Sequence, residues 1–497
     1  MSVDEQSATI AFLGTGAAFG EPGAEVTRLD THISHVFLVG ARAFKLKRAV
    51  AFSYLDFSTA ALRRRYCEAE LNLGRRMAPT LYRAVHAVTR DRTGRLALDG
   101  DGTAVDWLIE MRRFDQEALF DRMAARGALT PALMDALADE IAAFHAGAEP
   151  APQFGGPEGV RAVIGGIVNN LRRAQIFDAA AVARVAREFE DAVASNDALL
   201  ASRNRAGKVR RCHGDLHLRN ICLVDGQPTL FDPVEFSDAI SSIDVLYDLA
   251  FLLMDLVHEG HGELANQVFN RYLDRGDEED GLILLPLFLA MRAAIRAHVS
   301  ASANDPERAR GYFALAQLLM RPEKPCLVAI GGVSGTGKTT LARAIAPGLG
   351  RAPGARILRS DVVRKLLFGV APETRLPPSA YDQETSRRVY EMLYGRAAAV
   401  LEAGQAAIVD AACLRAEERQ AIAAVARAAG TNFTGLWLEA PRAVLERRLT
   451  ARRGDASDAD VAVLRTQLAY DFGPIDWRRL DASDDPAAAA REAIGAN

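Results

Sequence analysis

Two stretches of this chain carry residue types at spacings suited to phosphate chemistry. The first is HGDLHLRN at 213–220, followed by LFDPVEF at 230–236. Moving a phosphoryl group takes an oriented acceptor hydroxyl and metal ions that neutralise the phosphates. Asp215 could accept the hydroxyl proton. Asn220, five residues on, and Asp232, closing a short apolar strand, offer hard oxygen ligands for Mg2+. The second stretch, GGVSGTGKTT at 331–340, satisfies GxxxxGK followed by Thr. Gly332, Gly335 and Gly337 let backbone amides curl around phosphate oxygens at a helix N-terminus. Lys338 reaches the β- and γ-phosphates and the Thr339 hydroxyl ligates magnesium, with Ser334, Thr336 and Thr340 completing the cofactor-binding set.

The second stretch sits in a strand–loop–helix frame, LVAIGGVSGTGKTTLARAIA at 327–346. Further strands are expected at 355–361, 406–412 and 434–440, with helices between them, which is the rhythm of a parallel sheet covered on both faces. SDVVRK at 360–365 begins at the carboxyl end of a strand, where acceptors bind in such sheets. Asp361 is placed to take a hydroxyl proton and Arg364 to grip a phosphate or an anionic acceptor. A helix N-cap plus a surface cation would read the same way. Asp410, closing an apolar strand, is a magnesium ligand through water or else an N-cap. In LERRLTARRGDASDAD (445–460), Arg448, Arg452 and Arg453 resemble a lid over phosphates, although a solvated basic face would have the same text. SDAD at 457–460 reads as the N-cap of the next helix.

At 497 residues the chain calls for two or three domains. A hydrophobic share of 49% and a charged share of 25% are those of a globular protein. A net charge of −4 disfavours a dedicated nucleic-acid binder. Five scattered cysteines without CxxC spacing read as free thiols in a reducing compartment. The N-terminus shows no signal peptide, and the longest apolar run, 282–291, is too short to span a bilayer. The expected location is cytoplasmic, with no membrane partner.

The 213–236 block resembles the catalytic loop of the aminoglycoside phosphotransferase and choline kinase families, relatives of protein kinases. The resemblance covers about residues 25–320 and implies an α+β bilobal kinase-like domain. Such a fold needs a strand lysine on the ATP phosphates, held by a helix glutamate. Strands are expected at 25–30, 35–40 and 43–48, with Gly40-Ala41 as a tight turn. In the third, Lys45 and Lys47 project from one face; Lys45 is the first candidate and Lys47 the second. Glu70, on the helix at 58–77, is the candidate partner. THISH (31–35) would lie over the phosphates, and VDWLIEMRRF (105–114) would be an edge strand bringing Glu110 and Met111 to the adenine. Asp232-Pro233-Val234 departs from the Asp-Phe-Gly of protein kinases, which makes a movable activation loop an unlikely device here. Asp244 and Asp248 are expected to face the catalytic loop by helical spacing, and His145 to be structural. Gly14, Gly16 and Gly20 read as a flexible approach segment rather than a nucleotide loop. His258 and His261 read as a solvated loop rather than a metal pair. Glu235 and Asp238 could suit a cationic acceptor.

The C-terminal part resembles small P-loop kinases: gluconate kinase, chloramphenicol phosphotransferase, the zeta toxins and the kinase domain of polynucleotide kinase. The order of the two parts resembles bacterial proteins described as bifunctional phosphotransferase and ATP-binding proteins. The expected architecture is therefore an N-terminal segment (1–24), a kinase-like N-lobe (25–113) and C-lobe (114–320), a linker (321–325) and an α/β P-loop kinase domain with a parallel sheet (326–497). ATP and Mg2+ are the implied cofactors. The expected function is phosphoryl transfer to hydroxyls of a sugar, amino sugar or aminoglycoside-like molecule. Alternatives are an ATP-sensing regulatory protein and a nucleic-acid end kinase.

Overall fold

The computed structural model describes residues 3–52, 55–276, 278–451 and 456–495. The chain divides into two compact units, Met1–Gly159 with Ala201–Leu249, and Val160–Leu200 with Ala250–Asn497. The 321–325 stretch lies within the second.

In the first unit, strands β1 (Thr27–Asp30), β2 (Ser34–Val39) and β3 (Arg42–Lys47) run as an antiparallel meander. Val39 pairs with Arg42 across Gly40-Ala41, and Gly40 takes the positive φ of 51° that so short a turn demands. A small pair, β4 (Ala51–Phe52) and β5 (Leu55–Asp56), precedes the helix Ala60–Met77. Then come β6 (Tyr82–Arg90), β7 (Leu96–Leu98) and β8 (Thr103–Arg112), completing a sheet of order β1-β2-β3-β8-β6-β7. Phe44 and Leu46 of β3 join Phe37, Val39 and Leu108 in a core on one face; Lys45 and Lys47 take the other, towards Ala60–Met77.

Two expectations are corrected here. β8 is no edge strand: it pairs with β3 on one side and β6 on the other. Leu108, Ile109 and Met111 are buried on both of its faces, as a central strand requires. Nor are residues 3–20 a flexible approach. They form the helix Val3–Leu13 and a short 3-10 turn whose Leu13, Ala18 and Phe19 are buried against the sheet. Gln6 fixes that helix by donating to the Lys47 carbonyl (2.9 Å) and to Asp106 (3.0 Å). A Cβ on Gly16 would lie 2.3 Å from the Glu21 carbonyl, so this glycine serves close packing.

The rest of the first unit holds the catalytic block between two short ladders: β9 (Val209–Arg211) with β12 (Ser242–Asp244), and β10 (Ile221–Val224) with β11 (Gln227–Leu230). Asp248, on the helix Val245–His258, accepts from the amides of His213 (3.0 Å) and Gly214 (2.9 Å) and meets His145 Nε2 at 3.1 Å. Asp244 departs from expectation. It ends β12, one residue ahead of the helix, and takes the Arg203 guanidinium at 2.8 and 2.9 Å instead of facing the catalytic loop.

The second unit contains a five-stranded sheet of order β14-β15-β13-β16-β17, parallel at every pairing. Its strands are β13 (Cys326–Gly331), β14 (Arg356–Arg359), β15 (Ala407–Asp410), β16 (Asn432–Glu439) and β17 (Arg478–Asp481). Val328, Ile330, Ile408 and Leu436 fill the core with Leu341 and Ile345 of the helix Lys338–Ile345. The outer side of β14 is covered by the helix Gly262–Arg275. Asn270 Oδ1 accepts from the Ile357 amide at 2.7 Å, and the Asn266 and Asn270 side-chain amides donate to the Ala355 carbonyl at 3.1 Å each. Arg356, 1% exposed, pairs with Asp274 (2.7 Å) and Glu279 (3.1 Å), and Arg396 also reaches Glu279. The apolar run at 282–291 lies within a longer helical stretch, Glu279–Ser302, long and apolar enough to cross a membrane, yet 72% of its most apolar window is buried inside the protein.

All five cysteines are free. Burial pushes the Cys67 and Cys222 thiols up to about 12, away from reactive thiolate.

Replacing Arg356 by Ala would leave half-buried Asp274 and buried Glu279 without their guanidinium. The expected loss is about 3 kcal/mol, the low end for breaking a buried pair, because Arg396 stays on Glu279. Urea unfolding followed through Trp437 and Trp477, both in this unit, checks it.

Candidate phosphotransfer sites

In the first unit, charged side chains from β3, the helix Ala60–Met77 and the 231–236 loop form a chain of alternating sign. Lys45 Nζ lies 2.9 Å from Glu70 Oε1 and is also ion-paired with Asp232. Lys47 Nζ lies 2.6 Å from Glu70 Oε2 and is also ion-paired with Glu235. Burial works against every charge here, yet the carboxylates raise both lysines above their usual range, and the two ammonium groups hold Glu70 below its own. Burial is the larger influence on Glu235 and raises it. Glu68, the other glutamate of the helix, is solvent-facing and pairs with Arg64. Glu235 is 6% exposed and taken up by Lys47, and Asp238 is paired with Arg211, so neither is free for a cationic acceptor.

The catalytic block hangs from its backbone. His213 Nε2 donates to the Phe231 carbonyl at 2.9 Å, and the Val234 amide returns a 2.9 Å bond to the His213 carbonyl, joining the two loops. Gly214 holds φ 82° with a hypothetical Cβ 3.1 Å from Val234. Asn220 Nδ2 donates at 2.9 Å to both the carbonyl and the carboxylate of Asp215, which directs its Oδ1 elsewhere. His217 Nε2 stands 3.4 Å from Asp215 Oδ2. Asp232 sits at φ 59°, a left-handed conformation costly for a side-chain-bearing residue, fixed by a 2.9 Å bond from its amide to Tyr82 Oη. Its side chain is 44% exposed, the most open of the set. An amide oxygen and an open carboxylate at the cleft are a donor set that fits magnesium.

In the second unit, the 332–337 loop lies between β13 and the helix Lys338–Ile345. Gly332, Gly335 and Gly337 hold φ of 133°, 89° and 92°. A Cβ on Gly332 would fall 2.6 Å from the Leu438 carbonyl. Lys338 Nζ donates to the Gly332 (2.9 Å) and Val333 (3.1 Å) carbonyls, and Thr336 is buried on the Val333 carbonyl. Thr339 Oγ1 donates to Asp410 Oδ2 at 2.5 Å, while Thr340 is exposed. Asp410 ends β15 six residues before the next helix, Ala416–Ala428, so it caps nothing. A hydroxyl beside a carboxylate is again a fit for magnesium.

Asp361 lies half-buried in the first turn of the helix Ser360–Leu367. Burial raises its pKa, Arg359 and Lys338 oppose this, and Asp410 adds to it. Arg364 is buried, donates to the Ala380 carbonyl at 2.7 Å and stacks 4.7 Å from the Tyr381 ring centre. Arg448, on the helix Arg442–Ala451, reaches the Thr336 carbonyl (3.4 Å) and the Ser483 carbonyl (3.1 Å) beside the phosphate loop. Arg452 and Arg453 lie outside the described residues. Asp460 caps the helix Val461–Leu468 through the Val463 amide at 2.9 Å, as SDAD indicates. Sequence reasoning missed Gln467, whose Oε1 accepts from the Ser334 amide at 2.7 Å, and Asp458, which gathers Lys365, the Tyr381 hydroxyl and the Leu376 amide. Nothing local distinguishes either residue from a solvated one. Lys47 and Glu235 carried a partial signal, a lysine on the ATP-lysine face and an acid in the metal loop.

A kinase-like bilobal domain followed by a P-loop kinase domain is what fold and sites define: an enzyme of the phosphotransferase class. Residues 45–283 match the family described as phosphotransferase enzyme family, and residues 327–473 match the family described as AAA domain. An uncharacterized protein of Mycobacterium tuberculosis is 28% identical over 463 residues, covering 89% of this chain and 90% of its own. Among solved structures, a choline/ethanolamine kinase family protein from Mesorhizobium loti is 14% identical and covers 63% of this chain and 95% of its own, with TM-score 0.39. A gluconokinase from Sinorhizobium meliloti 1021 is 22% identical and covers 35% and 91%, with TM-score 0.24.

Because the folded state raises the Asp361 pKa, its ionised form weakens folding above that pKa, and the penalty fades as pH falls through it. Asp361→Asn should therefore raise the thermal midpoint at pH 7.5 and lose that advantage at pH 4, measured by calorimetry at the two values.

Proposed function

We propose that the protein transfers the γ-phosphoryl group of ATP to hydroxyl groups of small molecules, a sugar, amino sugar or aminoglycoside-like compound, at two separate ATP sites. The observation that carries the reading is the convergence, in each unit, of a cation, an acidic residue for the acceptor proton and oxygen donors for a metal from separate elements. Magnesium, when bound, would neutralise charge on the phosphates.

In the first site Lys45, held by Glu70, grips the phosphates, and Asn220 and Asp232 would hold the metal. Asp215 takes the proton of the acceptor hydroxyl as its oxygen bonds to the γ-phosphorus and the bond to the ADP oxygen breaks. Asn220 keeps the Asp215 carboxylate turned for that task. In the second site Gly332, Ser334, Gly335, Thr336, Gly337 and Thr340 supply the phosphate cradle, with Lys338 on the β- and γ-phosphates. Thr339 and Asp410 would hold the metal, Asp361 takes the acceptor proton, and Arg364, Arg448 and Arg452 serve acceptor and phosphates. Free buried thiols and an apolar helix taken up in the core accord with a cytoplasmic enzyme.

In a metabolite screen for ADP release, Asp215→Asn should lower turnover with first-site acceptors by about 10²–10⁴-fold. Lys338→Ala should abolish turnover with second-site acceptors, and the double variant should be inert. If neither change alters nucleotide turnover with any acceptor, the enzyme reading fails. Sensitivity to Lys338→Ala alone would make the first module a substrate-binding or regulatory unit.

A further inference from the structure

One member of the alternating charge chain is not called for by the phosphate chemistry. The Lys47 side chain is 0% exposed, closed in by Glu70, by Glu235 and by the Phe57 ring, whose centre lies 4.9 Å from Nζ. Reaching a nucleotide would leave Glu235 buried without its ion-pair partner and Glu70 with Lys45 alone. Lys45 engages the opposite oxygen of the same Glu70 and then Asp232, so one carboxylate sets both strand lysines. Glu235 follows Asp232 by three residues in one loop, and Lys47 is its ion-pair partner among the described residues.

We propose that Lys47 is a positioning residue for the metal loop. By bridging Glu70 and Glu235 it anchors the far end of the 232–235 turn to β3, and so holds Asp232 in its left-handed conformation with the carboxylate open to the cleft. Lys45 meets the phosphates; Lys47 acts only through Glu235 and Glu70. Loss of the anchor should free the loop to move. Metal binding should then suffer while the nucleotide cation stays in place. This inference rests on reading the first site as an ATP and magnesium site.

The test uses the full chain carrying Lys338→Ala, which weakens the second site, and titrates ATP calorimetrically with and without Mg2+. In Lys47→Met, ATP affinity without metal should stay within about twofold of the background, and the tightening that Mg2+ adds should fall by about tenfold, the usual cost of removing a group that orients a metal ligand. Glu235→Gln should lose part of the same tightening, and the double variant should be no worse than Lys47→Met, because both act through one contact. Lys45→Met should instead weaken ATP without metal. If Lys47→Met weakens metal-free ATP as Lys45→Met does, Lys47 touches nucleotide and the proposal is overturned. An unchanged magnesium effect in a variant with an intact thermal transition overturns it too. Where Lys47→Met does not fold, the isosteric Glu235→Gln decides on the same measurement. If the background chain binds no ATP with magnesium, the site reading itself falls, a result distinct from either.

Discussion

A charge in a protein interior persists only where an opposite charge answers it, because desolvation costs more than any single surface ion pair returns. In the first unit that constraint is met by a relay in which each charge between the two ends serves two partners. The relay ties a strand, a helix and a loop, with directly paired members as far as 188 residues apart in the chain. The geometry of the candidate site follows from it. If the glutamate swung out, Lys45 would be left with Asp232 alone and Lys47 with Glu235 alone, and a shift of the 231–236 loop would strand Glu235.

The second unit meets the phosphate problem with backbone instead of buried charge. Its cradle is made of amides, and the positive-φ glycines let the chain turn tightly enough to aim them. In the structure the lysine and one amide are satisfied internally, by carbonyls and by Gln467. An arriving phosphate therefore exchanges partners with groups already in place, and the loop need not order itself from a disordered state.

What the sequence made legible was what is local. The phosphate loop, its helix and the Asp that meets Thr339 were readable because strand, glycines and helix are contiguous or close a strand of obvious pattern. The two lysines of β3 were readable as sharing a face, since strand side chains alternate with a period of two. That period could not choose between them. The choice depends on Asp232 and Glu235, partners far along the chain. β8 was misjudged because strand order is a property of the sheet, although its apolar residues on both faces were a visible sign. The N-terminal helix was missed because a short helix with a polar start is marginal on its own, and Gln6 and Phe19 give it a place only once the sheet exists. Asp244 was assigned by helical spacing one residue before the helix begins.

The asparagines along β14 have an implication for how this polypeptide can be dissected. A parallel sheet ends in a row of unanswered amides and carbonyls, and here two side chains from Gly262–Arg275 occupy those positions on the Arg356 side. A fragment cut to begin at residue 326 would carry that row bare, with a guanidinium beside it deprived of its acids. Such a fragment would recruit strands from its own copies. The sheet that carries the phosphate loop thus depends at its β14 edge on a helix encoded before it.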